Sequence, residues 1–284
     1  MHLADLPGST TGPDAAVVRV LSYNIRSMRD DREALARVIR ACAPDVVCVQ
    51  EAPRFFRWRK AAAWLARETG LVYTTGGATA AGPMILTSLR AHVERAEDTL
   101  LPRVPGLHRR GFATAVLRFG GGHRDTGLCD TGLCDTGLRD TARPGNGDGD
   151  GDGVRLGVVS CHLSLAEAER YEQAGMLLDH LTALDVPYAI AAGDINDRPD
   201  GRAFRRIAGK LRDGWATEPW GSEATFSPKD PRRRIDGVFA SEGIEIIGCG
   251  VPAGLPGVTD ADLRAATDHL PVLAALRLPR VSPV

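Results

Sequence analysis

The chain has 284 residues, 43% of them hydrophobic, and a formal net charge of −1. That length supports one large α/β domain with its own core better than two small ones. A charge so near zero excludes the global field of a nucleic-acid or membrane-surface binder, so any attraction to phosphate must come from local Arg and Lys clusters.

Residues 1–16 carry neither the basic start nor the apolar stretch of a signal peptide, and no later segment approaches a membrane span. They are expected to form a disordered tail on a cytoplasmic, monomeric protein with no membrane partner. Cysteines at 42, 48, 129, 134, 161 and 249 show no C-x-x-C pair or zinc-finger spacing. They read as reduced core or loop residues, without structural zinc.

In chain order, VVRVLSYNIR (17–26) reads as a strand of β-branched residues that empties into Asn24. Leu35, Val38, Ile39 and Cys42 then keep the 3,4,7 spacing of an amphipathic helix, with Asp30 or Asp31 as N-cap and Pro44 just beyond its end. The apolar run VVCVQE (46–51) closes on Glu51, and 53–69 reads as a helix opening with Arg54, Arg57, Arg59 and Lys60 among Phe55, Phe56 and Trp58. Those aromatics are expected to anchor the helix to its sheet, with base stacking as the alternative. Runs at 84–90, 112–119, 154–161, 188–193, 235–241 and 270–278 read as strands, and 165–184 as a long helix. Alternating elements followed by clustered strands suit a layered α/β sandwich with mixed sheets. The loops 70–83, 97–110 and 249–267 carry no readable signature.

Residues 120–153 stand apart. They repeat D-T-G-L with period five and then alternate Gly and Asp, a composition too polar to bury a core, and are expected to form a disordered loop between two strands. Asp148, Asp150, Asp152 and Gly153 match half of a calcium loop, but its twelfth position is Val159, where Glu is needed.

Polar residues recur where apolar runs end: Asn24, Glu51, His162, Asp194 with Asn196, Asp236 in RRRIDGVF, and Asp268 with His269 in ATDHLP. Singly, each could be a cap or a turn former. Side chains at neighbouring strand ends can instead converge on one crevice, and carboxylates with Asn and no Cys make an oxygen-rich site for Mg²⁺ or Mn²⁺. Such a set suits phosphoester hydrolysis, where a cation neutralises the phosphate and His stabilises an oxyanion or protonates a leaving group. Arg110 in HRR (108–110) and Arg234 in RRR (232–234) are candidate phosphate forks.

SYNIR, VQE, SCHLS, GDIN, RRRIDGVF and TDHLP, in this order, resemble the endonuclease/exonuclease/phosphatase superfamily of DNase I-like phosphoesterases, over about residues 17–277. The resemblance implies a four-layer α-β-β-α sandwich of two packed mixed sheets, with one divalent-metal site at their edge. It implies Glu51 as principal metal ligand with Asn24 and Asp268 beside it. Asp194 and Asn196 would orient the attacking water and the phosphate, Asn196 binding the phosphate and Asp194 acting as general base. Asp236 would hold His269, and His162 would touch the phosphate or the leaving oxygen. Gly237 stands where many relatives carry an aromatic, which is expected to remove a wall of the substrate pocket.

The activity so implied is metal-dependent hydrolysis of a phosphate ester, a nuclease or phosphodiesterase first, with a phosphatase of a small ester or phosphoinositide as the alternative. A non-catalytic binding module on the same fold is the rival of another class. A serine hydrolase or P-loop enzyme is excluded: there is no G-x-S-x-G, and GGATAAGPM has Pro and Met where a P-loop has Lys and Ser or Thr.

Overall fold

The computed structural model describes residues 6–120 and 153–280. The strands are β1 (Thr10–Thr11), β2 (Ala15–Asn24), β3 (Val46–Gln50), β4 (Val72–Gly76), β5 (Met84–Thr87), β6 (Ala91–Leu100), β7 (Gly111–Phe119), β8 (Val154–His162), β9 (Tyr188–Asp194), β10 (Arg212–Asp213), β11 (Asp236–Ala240), β12 (Glu245–Gly250) and β13 (Val272–Pro279). The helices are α1 (Arg32–Cys42), α2 (Trp58–Thr69), α3 (Glu167–Thr182), α4 (Arg202–Ala208), α5 (Gly214–Thr217) and α6 (Asp260–Ala266).

One sheet runs β12-β13-β2-β3-β5-β4, with β1 on β2, and the other runs β10-β11-β9-β8-β7-β6. Each holds one parallel pair, β2 with β3 and β8 with β9, among antiparallel neighbours. The inner layer joins Val18, Val20 and Ile85 of one sheet to Ala115, Leu117 and Val158 of the other. Outside it, α1 and α6 cover the first sheet through Leu35, Ile39 and Leu263, and α3 with α4 cover the second through Leu177 and Phe204. This is the four-layer α-β-β-α sandwich. Because the parallel pairs end at the same edge, Asn24, Glu51, His162 and Asp194 all leave their strands there.

Local chemistry explains the elements. The Asp31 carboxylate caps α1 by accepting from Ala34 N at 2.9 Å, and the expected Leu35, Val38, Ile39 and Cys42 are its buried stripe. Helix α2 starts at Trp58, not near 53, because Arg57 has a left-handed φ of 61° that interrupts the helical path. The sequence places a loop over 97–110, but β6 continues to Leu100. It is an edge strand, mostly exposed, so His92, Glu94, Arg95, Glu97 and Asp98 replace apolar alternation.

The N-terminal expectation is corrected for residues 6–16. Leu6 is buried beneath α1's side of the sheet, Thr10 and Thr11 pair with β2, and Ser9 Oγ donates to Asp45. Strand β12 and helix α6 lie where the sequence predicts no element or only loop, α6 being capped by Thr259 Oγ1 accepting from Asp262 N at 3.0 Å. The repetitive segment, its half-matched calcium loop, Cys129 and Cys134 lie outside the described residues, apart from Gly120 and Gly153. Cys42, Cys48, Cys161 and Cys249 are free and buried, and burial pushes their thiols up, which leaves them unreactive core residues.

Candidate active site

A cavity of about 510 Å³ opens at this edge, lined among others by Glu51, Arg54, Arg110, His162, Asp194, Asn196, Arg233 and His269. Its floor is set by sheet register. Asp194 pairs across β9 with His162 of β8 on one side and with Asp236 of β11 on the other. Those two pairings bring residues far apart in sequence within reach of one carboxylate.

Asp194 Oδ1 accepts from Asn196 N at 2.9 Å, and Oδ2 accepts from Asn24 Nδ2 at 3.0 Å. The same Oδ2 lies 3.4 Å from His162 Nε2 and 3.8 Å from His269 Nε2. Burial and then the Asp236 charge push the Asp194 carboxyl up to about 7, against the opposing pull of His269, Asn24 and the Asn196 N–H. Asn196, at a φ of 54°, also donates from Nδ2 to Leu163 O at 2.9 Å, which fixes its side chain beside the cavity.

His269 Nδ1 donates to Asp236 Oδ2 at 2.9 Å. Burial opposes a charge on this ring, but the Asp236 charge and hydrogen bond, with Asp194 and Asp268 adding, outweigh it and raise His269 to about 10. His162 goes the other way. Burial, then Arg110 and His269, hold it well below its ordinary value, so the two imidazoles differ in charge at neutral pH. Thr225 and Phe226, which the sequence did not flag, complete this floor. Thr225 Oγ1 accepts from the N–H groups of Ile235 and Asp236, while the Phe226 ring meets His269 edge-on at 5.0 Å.

Glu51 lies on the wall with a φ of 52°, and Arg26, Ser27 and Met28 are left-handed as well. Ser27 N donates to Glu51 O at 2.7 Å, so the two strained turns hold each other, as backbone strain at functional sites does. Among the described residues the Glu51 carboxylate has no ion-pair partner, and its one hydrogen bond is a 3.4 Å contact from Asn24 Nδ2. An unpaired carboxylate beside an amide, open to a cavity, fits a hard divalent cation. Asp268 is turned aside: its Oδ2 lies 3.4 Å from Arg26 Nε, in a neighbouring cavity of about 290 Å³. Among the described residues, the compact cluster of groups able to hold a metal is Asp194, Asp236 and His269, within 4.8 Å of one another.

The cationic wall is only partly the expected one. Arg110 lines the cavity, with a buried Nε that has no partner, and burial lowers it. Arg234 does not reach the cavity and is corrected. It is buried, donates from Nη1 to both Asp213 carboxylate oxygens at 2.8 and 2.7 Å, pairs with Glu223 at 3.2 Å, and lies 5.0 Å from the Phe204 ring and 5.3 Å from the Trp215 ring. The chain alternates here, so Arg233 and Ile235 face the cavity instead. Arg29, Arg54 and His108 join them on that wall, and Arg54 is pinned by donating from Nη1 to Ala81 O at 3.1 Å.

Gly237 removes no wall of this cavity. Any Cβ there would meet Phe239 Cε2 at 2.9 Å inside the sheet, and Phe226 supplies the apolar wall. The aromatic anchor is likewise corrected for two of three residues. Trp58 covers Gly77, where an added Cβ would meet its ring at 3.1 Å, but Phe55 and Phe56 are 80% and 89% exposed.

The sequence profile of the Endonuclease/Exonuclease/phosphatase family matches residues 21–269. The chain belongs to this family. Its members hydrolyse phosphoesters and generally depend on a divalent metal. Solved structures agree on the fold. An endonuclease/exonuclease/phosphatase from Bacteroides vulgatus is 18% identical with a TM-score of 0.66, covering 92% of this chain and 99% of its own. A mannosyl-6-phosphatase from Bacteroides thetaiotaomicron is 16% identical with a TM-score of 0.65, covering 91% and 99%. Truncated TDP2 from Caenorhabditis elegans is 16% identical with a TM-score of 0.60, covering 92% and 97%. No curated protein matches the chain. Among the described residues no helix is long and apolar enough to cross a membrane.

Proposed function

We propose that this family member is a Mg²⁺- or Mn²⁺-dependent phosphoesterase that hydrolyses its substrate by in-line attack of water, with a phosphodiester as the leading substrate and a small phosphate monoester as the alternative. The observation that carries the reading is the Asp194 carboxylate, held by Asn24 and Asn196 at the cavity floor, with its Oδ2 3.4 Å from His162 Nε2 and 3.8 Å from His269 Nε2.

Glu51 and Asn24 would hold the cation, with Asp268 joining once Arg26 releases it. The Asp194–Asp236–His269 cluster suits a cation less, because the His269 imidazolium already places a positive charge there. A bound cation supplies charge neutralisation at the phosphate and a more acidic water. The chain's own groups do the rest. Asp194, ionised above about pH 7, accepts the water proton. His269, kept protonated by Asp236, presents Nε2–H to the charge that builds on the phosphoryl oxygens. His162 contacts the phosphate or the leaving oxygen from the opposite side of Asp194. Arg110 and Arg233 bind the remaining oxygens.

A screen with Mn²⁺ or Mg²⁺ over single-stranded DNA, duplex DNA, RNA, phosphoinositides and a bis-aryl phosphodiester tests this, with Asp194→Ala as the blank. Hydrolysis of one class, lost in the variant with the fold intact, is the expected result. Equal rates in wild type and variant would favour the non-catalytic binding module.

A further inference from the structure

A second cavity, of about 520 Å³, opens at the opposite end of the sandwich. Strands β2 and β3 run side by side from it to the candidate active site, pairing Val20 with Val46 near this end and Asn24 with Gln50 at the other. Arg19 therefore lies roughly 16 Å along β2 from Asn24, at about 3.3 Å per residue. Alternation sets the direction of its side chain. Val18 and Val20 enter the layer between the sheets, while Leu21 and Tyr23 enter the layer beneath the helices, so Arg19 turns to the helix side, where Ala43 and Gly70 end α1 and α2.

Two further guanidinium groups, Arg40 and Arg90, line the same cavity, with one carboxylate, Asp45. That carboxylate is fully engaged. Its Oδ1 accepts from Arg90 Nη1 at 2.8 Å and from Ser88 Oγ at 3.1 Å, and its Oδ2 accepts from Arg19 N at 2.9 Å and from Ser9 Oγ. Arg40 donates from Nη1 to Glu68 O in the last turn of α2. The Arg19 guanidinium has no such outlet. The residue is 8% exposed, yet among the described residues its side chain donates to nothing, and its Nε is closed off from water. Burial lowers it from the usual arginine value against the opposing pull of Cys42 and Asp45. Were Arg19 a cap for the helix ends, it would donate to their carbonyls as Arg40 does.

A cation buried without a partner is costly, and an anion entering beside it relieves that cost. Asp45 offsets Arg90, which leaves Arg19 and Arg40 facing one cavity from β2 and α1 with two positive charges. Forks on two different elements can hold the oxygens of a tetrahedral dianion from two sides, whereas a planar carboxylate presents one edge to one fork. An added Cβ at Gly8 or Gly70 would meet nothing within 4 Å, so the walls leave room for a group esterified to the phosphate.

We propose that this cavity is a second anion site, in which Arg19 and Arg40 bind a phosphoryl dianion, free phosphate or the phosphate of a small monoester, at the far end of the strands that carry Asn24 and Glu51. The site stands whether or not the chain hydrolyses a phosphoester.

Backbone amide NMR and thermal unfolding of the full chain test this, in Tris buffer stripped of metal, with inorganic phosphate, ribose 5-phosphate and acetate added to wild type, Arg19→Met and Arg40→Ala. Phosphate should shift the amides of Ser9, Asp45 and Gly70 saturably and raise the unfolding temperature of wild type. Arg19→Met keeps an apolar stem and drops the charge; it should weaken that response about tenfold or more, and Arg40→Ala should weaken it less. Shifts at Asn196, from phosphate in the catalytic cavity, should stay as in wild type. Without phosphate, Arg19→Met should be at least as stable as wild type, because it removes an unpaired buried charge. Tighter binding of ribose 5-phosphate than of phosphate would identify a monoester as the ligand and the reverse order free phosphate, and both uphold the site. No saturable shift at the distal cavity, a response unchanged in Arg19→Met, or acetate bound as tightly as phosphate would overturn it. So would an Arg19→Met protein that is unfolded or much less stable in phosphate-free buffer, which would make Arg19 a strut beneath the helix ends.

Discussion

Replacing Asp236 by Asn tests the charge arrangement at the floor of the cavity. Asp236 Oδ2 and His269 Nδ1 are 2.9 Å apart and both residues are buried. At an effective dielectric of about 20, two unit charges at that distance attract by about 6 kcal/mol. The variant keeps the shape and a hydrogen-bond acceptor but leaves the imidazolium buried without its counter-charge, for which about 3–5 kcal/mol of lost stability is the usual consequence. The sign of the pH dependence follows from His269 being raised from 6.5 to about 10 in the folded protein. A raised folded value contributes stability that is fully present below the unfolded value of 6.5 and is lost as pH climbs through about 10. The gap between wild type and Asp236→Asn should therefore be widest near pH 6 and should narrow steadily toward pH 10. Urea unfolding of both proteins across that range, in chelator so that no metal contributes, measures it, and an NMR titration of the His269 ring should show its midpoint falling in the variant. A stability gap independent of pH would refute the buried ion pair and with it the charged role of His269.

Asp194→Ala should lower kcat by about 10²–10⁴-fold with little effect on the fold, and the wild-type rate should rise with pH through about 7 as Asp194 ionises; a pH–rate profile of both proteins checks this. Glu51→Gln should weaken Mn²⁺ binding by roughly tenfold or more, read by isothermal titration calorimetry, because it removes the unpaired carboxylate on the cavity wall. Arg234→Ala should cost about 3–5 kcal/mol in chemical denaturation, since it strands the buried Asp213, yet leave the activity of the folded fraction intact. Loss of activity in that variant without loss of stability would return Arg234 to the phosphate.

The sequence alone determined the fold class, helix α1 and most of the polar groups at the strand ends, because an apolar run that stops at a polar residue is a local pattern with a local cause. It could not show β6, whose exposed edge replaces apolar residues with charged ones, nor the start of α2, which the left-handed backbone at Arg57 delays. Tertiary structure decided orientation. Whether Arg233 or Arg234 faces the cavity depends on how the segment entering β11 is set by pairing with β9, and Asp213 then claims the residue on the other side. Whether Asp268 points at Glu51 or at Arg26 depends on a turn from a distant part of the chain. Phe55 and Phe56 carry the composition of a core anchor and occupy the surface, because burial is a property of what the rest of the chain leaves uncovered, which no stretch of sequence contains by itself.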